Sequence, residues 1–200
     1  MVEIAGTKLK KMTFDGQPVK KWVHDGVTVY KSAVPLVNVV GSNALQLSCS
    51  TWGSSAANYS NAAGDPVSVN AGHRYYARAA VATNYASNTS STSADAFWGQ
   101  GVTNNTSGSV AYILCSPGAG LTQTENTGHV IFTVPDGTTS VKPILSASTS
   151  ANQNGNHSAT YYMLVDISEL EESTGITYTA DSFWAAIGGE VFYDSIELET

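Results

Sequence analysis

Charge is scarce in this chain: Asp, Glu, Lys and Arg make up only 12% of its 200 residues. Cysteine is limited to Cys49 and Cys115, and no long apolar run occurs. Each shortage excludes something. Two cysteines cannot form a disulfide framework; free core thiols are expected in a reducing compartment, with a bond between two sheets as the alternative. The most apolar stretch, Ala33 to Val40, contains Pro35 and Asn38 and is far too short to span a bilayer. Met1-Val2-Glu3-Ile4 has neither a basic n-region nor an apolar h-region, so synthesis in the cytosol without a signal peptide is expected. Catalytic signatures are missing as well. There is no Gly-x-Ser-x-Gly elbow, no phosphate-cradling glycine loop and no His-Glu-x-x-His helix. His24, His73, His129 and His157 are scattered, with no pair at ligand spacing. One dense carboxylate cluster, Asp166 with Glu169, Glu171 and Glu172, falls on a polar segment after a strand. Glycoside hydrolysis needs two facing carboxyls, and a non-enzymatic protein without a cofactor is the expectation.

What remains is rich in Gly, Ser, Thr, Asn and Tyr, the composition of an all-β protein. Its charge is divided. Residues 1–35 hold six lysines against Glu3, Asp15 and Asp25, a net of +3; the remainder holds three basic and thirteen acidic residues, a net of −10. An acidic body repels phosphate backbones, which argues against nucleic-acid binding. The basic end either meets an acidic partner or protects short strand edges from aggregation. Two tandem decapeptides, Lys10–Val19 and Lys20–Val29, repeat Lys-Lys, Asp-Gly and Val at equal offsets. Each Asp-Gly step predicts a tight hairpin. Residues 1–34 are thus expected to be a small lysine-rich β-module and residues 35–200 a separate domain, with Pro35 at the boundary.

Beyond Pro35, alternating runs predict strands at Leu45–Thr51, Pro66–Val69, His73–Val81, Asp95–Gln100, Val110–Cys115, Val130–Val134, Val141–Ala147, Thr160–Ile167 and Val191–Leu198. In His73–Val81 the alternation sets Tyr75, Ala77, Ala79 and Val81 on one face and Tyr76, Arg78 and Ala80 on the other. Thr83–Ala94 and Ser148–Ser158 read as exposed polar loops. One helix is predicted, Ala180–Ile187, capped by Thr179 and ended by Gly188-Gly189. The sum is an antiparallel two-sheet β-sandwich, a jelly roll, with an N-terminal hairpin module and one short C-terminal helix.

Three stretches carry a resemblance. They are Val69-Asn70-Ala71-Gly72-His73-Arg74-Tyr75-Tyr76, Val130–Pro135 with Val141–Ile144, and Met163–Ser168 followed by Tyr178–Trp184. Together they resemble the carbohydrate-binding, galactose-binding-like jelly rolls of tail and minor structural proteins from phages and prophages of Gram-positive bacteria. In that family a Phe-Gly-x-Gly-x-Glu-Pro loop follows the Met-containing strand; here Glu169–Ile176 stands in its place. The resemblance implies a virion tail protein whose partners are cell-surface glycans, other tail subunits and further copies of itself.

Sugars pack their C–H faces on Trp and Tyr rings while polar side chains fix the hydroxyls. Trp52, Tyr59 and Tyr85, each flanked by small polar residues in expected loops, are therefore the candidate ligand-binding residues, with Trp98 on the sandwich's concave face. Tyr75, Tyr112, Phe132, Tyr161 and Trp184 are expected in the core. A loop-bound calcium on Asp65, Asp166 or Asp194 would suit the architecture. A purely structural virion spacer with no sugar ligand is the alternative function.

Overall fold

An Asp-Gly step turns a strand back because both of its residues tolerate positive φ. In the computed structural model, β3 (Thr13–Phe14) pairs antiparallel with β4 (Gln17–Pro18), and β5 (Lys21–His24) with β6 (Val27–Lys31). In each pair two residues separate the strands, and Asp25 adopts φ 51°. A third hairpin, β1 (Glu3–Ile4) with β2 (Thr7–Lys8), precedes them. The structure describes residues 3–4, 7–8, 13–14, 17–19, 21–25, 27–31, 33–52, 58–85, 92–99, 109–115, 123–149 and 154–199.

The body is the expected all-β sandwich. Its strands are β7 (Ala33–Val37), β8 (Leu45–Trp52), β9 (Asn58–Ala63), β10 (Val67–Ser68), β11 (Arg74–Tyr85), β12 (Thr92–Gly99), β13 (Ser109–Cys115), β14 (Gln123–Thr133), β15 (Ser140–Thr149), β16 (Asn154–Asp166) and β17 (Ser195–Glu199). One sheet runs β14-β11-β16-β8; the other runs β10-β15-β12-β13, with β9 also on β15. All the described pairings are antiparallel. Between the sheets lie Tyr75, Ala77, Ala79 and Val81 of β11, Tyr161 and Leu164 of β16, Phe132 of β14, Ala94, Ala96 and Trp98 of β12, and Val141, Leu145 and Ala147 of β15.

The other face of the four-stranded sheet is covered too. Tyr76, Met163 and Val165 pack there against Val34 and Leu36 of β7, Ile196 and Leu198 of β17, and two helices, α1 (Ser168–Thr174) and α2 (Ala180–Ala186). This explains the unbroken apolar run Tyr161–Val165: a strand buried on both faces needs no alternation. A β-bulge supplies the register change. Arg78 pairs with Met163 and Ala79 with Tyr161, so Tyr162 is the extra residue. Asn38, itself buried, completes the backbone there. Its Nδ2 donates to Tyr162 O at 2.8 Å and to Phe192 O at 2.9 Å, while its Oδ1 accepts from Leu164 N and Val40 N at 3.1 Å.

Helix α2 has the expected Thr179 cap, a capping box with Ser182. Helix α1 forms within the polar segment that follows β16, where no helix is expected from the sequence. Its only buried residue is Leu170, so it has no apolar stripe to recognise. It is held by Glu171 Oε1, which accepts from Arg74 Nη1 at 2.5 Å and from Tyr178 N at 2.8 Å. Gly175 ends it at φ 68°. The segments read as polar loops are shorter than expected: β11 runs on to Tyr85, β12 starts at Thr92, and β16 starts at Asn154. Strand β9 lies outside the strands that alternation predicts. Among the described residues no helix is long and apolar enough to cross a membrane.

Candidate functional site

The strand register gathers three of the four candidate aromatics at one end of the sandwich. Trp52 ends β8 opposite Asn154, Tyr85 ends β11 opposite Gly155, and Tyr59 lies in β9 opposite Ser148. β15 ends at Thr149 and β16 begins five residues later at Asn154, a separation of at most about 18 Å, so both sheets reach the same end. The three residues sit on strand ends rather than in loops; their side chains lie outside the described residues. So do the tips Gly53-Ser54 and Asn88-Thr89-Ser90 and the side chains of Tyr112 and Cys115.

Trp98 is a correction. It is fully buried between the sheets, edge-on to Tyr161 at 5.4 Å between ring centroids. No ring face is left for a sugar. The cause is its register: Trp98 shares the inward face of β12 with Ala94 and Ala96, and these small residues leave the volume that a large ring fills. Among the described residues its Nε1 has no hydrogen-bond partner. Tyr75, Phe132 and Tyr161 are core as expected. Trp184 is half-buried on the far side of the four-stranded sheet.

Beneath the loop end the interior turns polar. Thr51, Thr83 and His157 are all buried there. His157 Nε2 lies 3.1 Å from Thr51 Oγ1, and a Cβ on Gly155 would come within 2.9 Å of that nitrogen, so glycine is required at the strand's start. Burial pushes the His157 imidazole down from 6.5 to about 4. The folded interior therefore holds the neutral ring, while an unfolded chain takes up a proton near pH 6.5. Stability is whole above pH 6.5 and falls as pH drops from there towards 4, by about 3 kcal/mol at the bottom of that window. Urea unfolding at pH 7.0 and pH 4.5 checks this: the midpoint should drop on acidification, and His157→Gln should flatten the drop. Nearby, Cys49 is a free thiol whose Sγ–H points to Ser60 O at 3.8 Å; burial raises its pKa, which keeps it unreactive.

Two further polar groupings bring together residues distant in the chain, the first of them around the Asp166 and Glu169 carboxylates already clustered in the sequence. The first is a cleft of about 430 Å³ on the side of the sandwich, lined by Val34, Pro35, Val37 and Val39 and, among others, Asn70, His73, Asp166 and Glu169. His73 Nδ1 lies 2.7 Å from Asp166 Oδ2, and Asp166 Oδ1 accepts from Ser168 N at 3.0 Å. Asp166 and Glu169 belong to one stretch around the start of α1, unlike the carboxyls of a glycosidase, which flank the scissile bond. Among the described residues no three His, Cys, Asp or Glu side chains are grouped to hold a metal. The second grouping lies beside α2. The buried Tyr76 hydroxyl is 2.9 Å from His129 Nδ1, and His129 Nε2 is 2.9 Å from the exposed Asp181 carboxylate. Arg78 stacks on Trp184, 4.0 Å from the ring centroid. Burial pushes the Tyr76 phenol up to about 12; the contacts from Tyr76 through His129 to Asp181 fasten α2 to the sheet.

No protein-family model matches the chain, and no curated protein sequence does. Among solved structures, similarity is found to a family 16 carbohydrate-binding module, 14% identical over 58% of this chain and 73% of that one, TM-score 0.26. It is also found to a protein of infectious bursal disease virus, Gx strain, 10% identical over 70% of this chain and 36% of that one, TM-score 0.30. A mutant VP2 protein of the same virus is 12% identical over 74% of this chain and 39% of its own, TM-score 0.27. At such TM-scores these likenesses carry no argument for function.

Proposed function

We propose that this is a non-enzymatic, tail-associated virion protein, made in the bacterial cytoplasm, that attaches to cell-surface glycans through one end of its sandwich. The observation that carries the reading is the register. It brings the strand positions Trp52, Tyr59 and Tyr85 to one end of the sandwich, where Asn- and Ser-rich connections join the strands. Aromatic rings flanked by amide and hydroxyl side chains suit the amphipathic faces of sugars. Each copy would bind weakly, and many copies on one particle would add avidity.

The test is retention on a bacterial-polysaccharide array. Trp52→Ala and Tyr85→Ala should each lower retention about tenfold, the loss of one stacking contact, while the thermal midpoint stays within a few degrees of the parent. An intact protein retained by no glycan overturns the reading and leaves the structural spacer. The burial of Trp98 favours that spacer, since it removes one of the four candidate platforms.

A further inference from the structure

Hydrogen bonding sets the polar side of the side cleft. An ionised carboxylate only accepts, so His73 Nδ1 carries the proton shared with Asp166 Oδ2, 2.7 Å away. In its neutral form the ring then keeps a lone pair on Nε2, which has no partner among the described residues. Glu169 lines the same cleft, is exposed, and enters no ion pair among the described residues. Arg74, next to His73 in the chain, is already taken by Glu171.

Much of the remaining lining is aliphatic. Strand β7 turns Val34 and Leu36 inward and leaves Pro35 and Val37 on its outer side. Val37 is 54% exposed and Val39 36%, and both line the cleft. Directly across the β7–β17 ladder from Pro35 stands Glu197, and residues so placed share a face of the sheet. Glu197 too is exposed and enters no ion pair among the described residues. The aliphatic patch is thus bordered by carboxylates.

This lining selects among ligands. The cleft, about 430 Å³, falls within the roughly 300–1,000 Å³ of small-molecule sites. An anion would meet Asp166 and Glu169. A neutral sugar would find no open phenol or indole face, since Tyr75 is only 2% exposed. A calcium ion needs six or more oxygens, and among the described residues no three His, Cys, Asp or Glu side chains are grouped to hold a metal. An aliphatic ammonium suits both halves, with methylenes along valines and N–H groups towards acceptors.

We propose that this cleft binds a small molecule carrying a primary ammonium group on a short aliphatic body. Glu169 and His73 Nε2 accept from the ammonium, and Val37 and Val39 cover the methylenes. The cleft is separate from the aromatic end of the sandwich. His73 stands at the start of β11 and Tyr85 at its end, so roughly 35 Å of strand lies between them. The proposal does not rest on the glycan reading.

Titration of the full chain with n-pentylammonium, followed by amide NMR, tests it. Saturable shifts should centre on Val37, Val39, His73 and Glu169. Pentanol, with the same body and no charge, should bind about tenfold more weakly, and pentanoate should not bind. Each lost methylene costs about threefold, so ethylammonium should bind roughly thirtyfold more weakly. Glu169→Gln should weaken pentylammonium about tenfold, and Val37→Asn about fivefold. Both positions are exposed, so the thermal midpoint of each variant should match the parent. Absence of saturable shifts, or shifts centred elsewhere, overturns the proposal. So does pentanol binding as tightly as the amine, which would make the cleft merely apolar. Ethylammonium matching pentylammonium, or a Glu169→Gln protein that binds like the parent, overturns it as well.

Discussion

Trp98→Ala should destabilise the fold by about 4 kcal/mol. The residue is fully buried, so truncation leaves a cavity where the indole met Tyr161. Its neighbours have little freedom to fill that space. The Tyr161 hydroxyl donates to the carbonyls of Ile144 and Phe97, on the two central strands of the opposite sheet. Ala94 and Ala96 are too small to move inward. One term works the other way, because the unpartnered Nε1 disappears with the ring. Trp98→Phe, which removes that donor but keeps most of the volume, should therefore cost no more than about 1–2 kcal/mol. Urea unfolding followed by near-ultraviolet circular dichroism separates the two variants. Trp98→Ala melting like the parent while losing glycan retention would mean that the ring is surface machinery, against its packing here.

Asn38→Ala should cost nearly as much, about 3–5 kcal/mol, although it removes no apolar surface. Asn38 uses both amide protons and both carbonyl lone pairs on backbone groups. Alanine strands Leu164 N and the carbonyls of Tyr162 and Phe192 near a buried bulge, and each unsatisfied group costs about 1–3 kcal/mol. Asn38→Asp should recover little: it keeps an acceptor for Leu164 N but faces two carbonyl oxygens with no proton to give. The midpoint of thermal unfolding checks both substitutions, with Asn38→Asp expected close to Asn38→Ala. A midpoint within a degree of the parent for either would show that water replaces the amide.

The sandwich was legible because its signals are local. Alternation in His73–Val81 correctly divided Tyr75, Ala77, Ala79 and Val81 from Tyr76, and the Asp-Gly steps marked two hairpins. Helix α1 was not legible: its anchors are Leu170, alone in its burial, and the Glu171 clamp on Arg74, a pairing that only tertiary structure reveals. Trp98 was misplaced for a related reason. Phe97-Trp98-Gly99-Gln100 looks like a polar-flanked aromatic, but both Phe97 and Trp98 are buried, so alternation could not separate a sugar-facing side from a core side. The loop-end grouping of Trp52, Tyr59 and Tyr85 depends on strand pairings between remote segments, and composition alone does not encode those.

The order of strands in the four-stranded sheet also sets a timetable. Among the described residues strand β8 pairs only with β16, where Leu45 meets Tyr161, and β11 lacks that same neighbour until β16 arrives. At a translation rate of about 5–20 residues per second, the ribosome takes on the order of ten seconds to deliver β16 after β8 has emerged. Throughout that interval the backbone edge of β8 stands open to strands of neighbouring nascent chains. A chain truncated before Asn154 has no route to the central ladder and should be recovered as aggregate.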